Sequence, residues 1–84
     1  MNEEILKQMA QCIIDGDSDI STELAKKSIE LNMHPLDTIT NGFVVGVNYI
    51  GDQFGKGEAF LPELVMAGEA MKAAVAVLEP ELLK

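Results

Sequence analysis

Residues 35–54 read PLDTITNGFVVGVNYIGDQF. Along that stretch Leu36, Ile39, Phe43, Val47, Ile50 and Phe54 step by three and four, the spacing of one face of an α-helix. Pro35 suits the first turn of such a helix, where a missing N–H is no loss. Gly42 and Gly46 lie four apart inside it. Each glycine costs up to about 1 kcal/mol relative to alanine in a helix interior. The expected compensation is close backbone approach of a neighbouring helix.

Downstream, Gly55 and Gly57 break the pattern, and Phe60-Leu61-Pro62 opens a further helix with proline near its first turn. Leu61, Leu64, Gly68, Met71, Val75 and Leu78 again step by three and four, and Pro80 is expected to end the helix. Upstream, Asn2 is a plausible N-cap, with Glu3 and Glu4 favourable in the first turn. Ile5, Met9, Cys12 and Ile13 then repeat at helical spacing. Asp15-Gly16 closes that helix, since Gly16 can adopt the left-handed conformation. Ser18 is expected to cap a second helix with Ile20, Leu24 and Leu31 inward, fading at Asn32-Met33-His34. No β-type alternation competes. The expectation is an all-α fold, a small antiparallel four-helix bundle occupying residues 1–84 as one domain.

The chain has 84 residues, of which 48% are hydrophobic. A domain of this size has a stability on the order of 4–12 kcal/mol. The single cysteine, Cys12, cannot form an internal bridge, which fits a reducing compartment. No apolar run is long enough to span a bilayer, and the opening Met1-Asn2-Glu3-Glu4 lacks the basic and apolar regions of a signal peptide. A cytoplasmic location is expected. The net charge is −8. It argues against nucleic-acid and anionic-membrane partners, which need a basic face.

Few residues invite chemistry. His34 has no Cys or His partner at zinc-ligand spacing and reads as a helix-boundary residue, so no metal site is expected. Cys12 lies on an apolar stripe with no basic neighbour to lower its pKa, and reads as core. Glu3-Glu4 and Asp15-Asp17-Asp19 sit at helix starts and turns, where capping explains them. Acyl carrier proteins are also small acidic bundles, and they modify a serine in an Asp-Ser-Leu motif. Here the residues are Asp17-Ser18-Asp19, with a charge in the third position, so Ser18 reads as an N-cap.

Residues 51–64 read GDQFGKGEAFLPEL, and they are followed by Ala67, Ala70-Met71-Lys72-Ala73-Ala74 and Leu78-Glu79-Pro80. This resembles the G-x-x-F-x-x-G-E-x-F-L-P pattern and alanine-rich helix of the helical cap domain in corrinoid (cobalamin-binding) methyltransferase proteins. The nearest type is the small corrinoid protein of methylamine and methanol metabolism. The cap module of cobalamin-dependent methionine synthase is more distant.

The resemblance implies a role. In that family a four-helix cap rests on the upper face of the corrin ring, where cobalt carries a methyl group. Phe54 matches the phenylalanine over that face, Leu61 matches a second apolar contact, and Leu64 falls where an aliphatic residue completes the patch. Gly68 stands where alanine is common. Periodicity alone reads all three contacts as ordinary core; the resemblance reverses that reading.

The resemblance also implies partners. The family holds its corrinoid mainly through a Rossmann-like domain whose D-x-H-x-x-G motif supplies the lower cobalt ligand. These 84 residues contain no such motif, so they are expected to be the cap alone, without the corrinoid-binding domain. Met1 opening the cap directly favours the small methyl-carrier type. The implied function is that of a non-catalytic cap, with corrinoid in the full-length parent and methyltransferase proteins as partners. An uncovered apolar patch also implies a homodimer of the isolated domain. The alternative is a stand-alone helical module binding another protein through the same apolar end.

Overall fold

The computed structural model describes residues 3–84. Helix α1 spans Glu3–Ile14 and α2 spans Ser18–Glu30. A third rod is α3 (Pro35–Thr38), a π-helical turn (Ile39–Phe43) and α4 (Val44–Gly55) in unbroken succession. Helix α5 spans Leu61–Leu82. Among the described residues there is no strand. This is the all-α four-helix bundle expected from sequence. Helix α2 packs mainly on α5, and α1 packs on the π turn and α4. At about 1.5 Å per residue, the 22-residue α5 sets the long dimension of the 39 × 24 × 19 Å molecule.

The first helix follows its sequence pattern, with Ile5, Met9, Cys12 and Ile13 all buried. The proposed Asn2 cap lies outside the described residues. Gly16 closes the turn with φ +67, the left-handed conformation anticipated there. The cap of α2 is Asp17 rather than Ser18. The Asp17 carboxylate accepts from the Ile20 N–H at 3.1 Å, and Ser18 is the first helical residue. The inward face of α2 also differs from expectation. Leu24 is buried, but Ile20 and Leu31 are exposed. The rest of the inward face is small: Ser21, Ala25 and Ser28. Small residues bring α2 close to α5, and the Ser21 hydroxyl donates to the Ala70 carbonyl at 2.6 Å.

The π turn explains why the stripe of the third rod is broken at its start. The Val44 N–H bonds the Ile39 carbonyl, five residues back. Inward positions across such a turn are therefore five apart, and Thr38 and Phe43 are both fully buried. Leu36, placed inward by regular α spacing, is 57% exposed. The Thr38 hydroxyl is satisfied by the His34 carbonyl at 3.1 Å. From Phe43, the last residue of the π turn, Gly46 and Ile50 continue the buried face along α4.

Gly42 and Gly46 do what their spacing suggested, and the neighbour is α1. A Cβ built on Gly46 would collide with the Ala10 carbonyl oxygen and the Ile13 side chain, and one on Gly42 would lie 2.9 Å from the Met9 sulfur.

Helix α5 buries its alanines. Ala67, Ala70, Ala74 and Leu78 form its inner face. Of the stripe read from sequence, Leu78 is inside, Leu64 and Met71 are half-buried against the core, and Leu61 and Gly68 face outward. Pro80 does not end the helix, which continues to Leu82 with Leu83 donating to the Glu79 carbonyl. Proline there removes only one late hydrogen bond, close to a helix end that frays readily.

Candidate cofactor-facing surface

Antiparallel neighbours place the turns 15–17 and 56–60 at the same end of the bundle. The built Cβ of Gly16 lies 2.8 Å from the Met66 side chain, so the first turn rests on the opening turns of α5. Phe54 lies in the last turn of α4, Leu61 begins α5, and Leu64 is one turn further on. Helices α4 and α5 pack on each other and are joined by the turn 56–60, so the three residues lie at one end of the bundle.

Their burial separates them from the core. Phe54 is 43% exposed and Leu61 is 61% exposed, whereas Phe43, one stripe position of the same rod, is 0% exposed. Leu64 is half-buried and packs on the core from its edge. At ~100° per residue, Leu61, Leu64 and Gly68 cluster on one flank of α5, turned away from the arc of Ala67, Ala70 and Ala74. Cβ atoms built on Gly51, Gly55 and Gly68 meet nothing within 4 Å. The surface around these glycines is therefore open, with Phe54 and Leu61 exposed on it.

The connection between α4 and α5 is held by its backbone. The N–H groups of Glu58 and Ala59 both donate to the Gln53 carbonyl, and Ala59 is buried as a plug beneath the turn. Phe60 caps α5 in an extended conformation, and its N–H donates to the Glu63 carboxylate at 3.1 Å. In return the Phe60 carbonyl accepts from the N–H groups of Glu63 and Leu64. Phe60 itself is 69% exposed beside Leu61. Sequence reasoning took Phe60 only as part of a motif. Its one available signal was its place just before Leu61-Pro62, at an N-cap, where a large apolar side chain has no helical reason to be.

The other candidates are structural. His34 is the N-cap of α3, its Nδ1 accepting from the Leu36 N–H at 3.2 Å. The Cys12 thiol is buried and donates to the Met9 carbonyl. Burial is the main cause that raises its pKa; the charges of Asp17 and Asp15 push the same way, and a hydrogen bond with Ser21 opposes them. The groove between α1 and α2 that Cys12 helps line includes none of Phe54, Leu61 or Leu64. Among the described residues, no group of three or more His, Cys, Asp or Glu side chains could hold a metal ion. No helix among them is long and apolar enough to cross a membrane.

A family described as B12 binding domain matches residues 5–79. The chain belongs to that family. This B12 binding domain is 42% identical over 80 residues to a corrinoid protein of Desulfitobacterium hafniense, covering 95% of the chain and 37% of that protein. It is 38% identical over 82 residues to trimethylamine corrinoid protein 2 of Methanosarcina acetivorans, covering 98% of the chain and 38% of that protein. The solved Methanosarcina barkeri monomethylamine corrinoid protein superposes with a TM-score of 0.97 at 38% identity, over the whole chain and 40% of that protein. The domain thus spans under two fifths of the length of these curated relatives.

The exposed residues at this end suit the shape and chemistry of a corrinoid. An open apolar surface built from Phe54, Phe60 and Leu61 can cover a flat macrocycle. Gly51, Gly55 and Gly68 add no side-chain bulk to α4 and α5. Among the described residues no group of three or more His, Cys, Asp or Glu side chains could hold a metal ion in place of the macrocycle.

Proposed function

We propose that this B12 binding domain covers the upper, methyl-bearing face of a corrinoid in a methyl-carrier protein, with Phe54, Leu61 and Leu64 as its contacts. The observation that carries this reading is the exposure of Phe54 and Leu61 together, with Phe60 between them in the chain, on either side of the α4–α5 turn. When bound, the corrinoid supplies the capacity to accept and release a methyl group. The domain's own part is to exclude water from that face without supplying a ligand. It does no bond chemistry itself.

The corrinoid itself would be held mainly by a Rossmann-like domain elsewhere in a longer protein. The bundle would move as a unit to admit a methyltransferase partner. Similarity to monomethylamine and trimethylamine corrinoid proteins supports methylamines as donors, and methanol or similar compounds and a cytoplasmic system complete the proposal. With neither cofactor nor partner domain present, the uncovered patch of the 84-residue chain would join a second copy.

The test is Phe54→Ala in a full-length holoprotein, made by placing these residues in the corresponding 40% of the M. barkeri protein. Loss of the bound methyl group to light or water, followed by visible absorbance, should quicken while the fold survives. A severe loss of folding with unchanged methyl protection would show Phe54 to be core and sink the reading.

A further inference from the structure

The exposed end of α5 raises a question of placement. Phe60 and Leu61 are the two most exposed apolar groups of the α4–α5 end, and nothing in the bundle packs over them. Their position follows from the backbone at residues 58–61. Two bonds anchor the first part of that segment to the Gln53 carbonyl. At Phe60 the chain turns extended, and the Phe60 N–H leaves the helix with no backbone acceptor. The Glu63 carboxylate takes it at 3.1 Å. Glu63 lies on the surface and sits three residues into the helix, where a carboxylate also favours the helix dipole.

We propose that Glu63 is a positioning residue for the cap surface: by holding the Phe60 N–H it fixes the entry of α5 and so presents Phe60 and Leu61 to whatever the end of the bundle covers. This rests on the cap reading above. Glu63 touches no reacting atom in it; it acts through the backbone. Without the carboxylate, the Phe60 N–H loses its acceptor. Gly57, Glu58 and Ala59 stay bonded to the end of α4, and the Phe60 carbonyl still accepts from Glu63 and Leu64. Phe60 is then held to α5 from one side only, and the first turn can fray. The two apolar side chains then spread over several positions, although the core beneath, held by Ala67 and Ala70, stays packed.

The experiment has two arms. In the 84-residue chain, Glu63→Ala should speed hydrogen exchange at the Phe60 amide by roughly two- to thirty-fold, the fold-change equivalent of a typical capping bond. Exchange at Phe43 should not change. Glu63→Gln keeps a carbonyl acceptor and removes the charge, so it should stay close to the parent. In the full-length holoprotein, Glu63→Ala should speed loss of the bound methyl group and Glu63→Gln should rescue it. If Phe54→Ala speeds that loss and Glu63→Ala does not, the positioning role fails and the cap reading stands. If neither variant changes it, the cap reading fails first. If Glu63→Gln behaves like Glu63→Ala in both arms, charge rather than the hydrogen bond is responsible, and the proposal is overturned.

Discussion

Two phenylalanines on one rod separate packing from surface. Phe43, the last residue of the π turn that packs on α1, is fully buried, and Phe54 is nearly half exposed. Phe43→Ala should cost about 3–5 kcal/mol, a large fraction of what a bundle of this size has. Phe54→Ala should cost roughly 1–2 kcal/mol, because the ring gives up only part of its burial. Chemical denaturation of both variants checks the difference, and equal losses would place Phe54 in the core. Cys12 makes a second residue-scale test. Its thiol is buried and its pKa raised, so the reactive thiolate is scarce at neutral pH. Labelling by iodoacetamide should be slow in the native chain and fast in denaturant; prompt native labelling would contradict the burial. The sequence supported this reading of Cys12, because its stripe and its lack of basic neighbours were both visible. It could not distinguish Phe54 from Phe43. Both sit on one apolar stripe, and periodicity does not say where the bundle stops covering it.

Helix number and most helix limits were legible because proline and glycine mark them: Pro35, Pro62, Gly16 and Gly55 stand at or beside real boundaries. Three features were not. The π turn leaves no mark in an apolar pattern, yet it moves the inward position from Leu36 to Thr38. The inner face of α5 is made of alanines, so a reading weighted toward large residues chose Leu61 and Gly68 on its outer flank. Ser18 and Asp17 are both good caps, and only backbone geometry selects Asp17. The glycines show the same division by element. Gly46→Ala forces a Cβ into the Ala10 backbone, and neither helix can yield easily. It should destabilise the chain by about 1–3 kcal/mol or more. Gly68→Ala meets open space in a helix interior and should stabilise by roughly 0.5–1 kcal/mol. Melting temperatures that move in opposite directions would bear this out. A stabilising Gly46→Ala would mean that α1 and α4 are not in backbone contact.

At the scale of the molecule, an apolar end and a strongly acidic surface act against each other. Phe54, Phe60 and Leu61 leave uncovered area that favours joining a second copy. A net charge of −8 on each copy opposes that joining. The carboxylates are exposed, so their repulsion is screened by salt: the Debye length falls from about 10 Å at 0.1 M to about 3 Å at 1 M. The apolar term does not weaken with added salt, and kosmotropic salts strengthen it. Self-association of the 84-residue chain should therefore tighten as ionic strength rises, the reverse of an interface held by opposite charges. Sedimentation equilibrium across that range measures it. Leu61→Asp adds charge to the patch itself and should return the chain to monomer at every salt concentration. A chain that stays monomeric at high concentration and high salt would show that this end is too small or too dispersed to pair with its own copy. Its exposure would then have to be explained by a cofactor or a different partner alone.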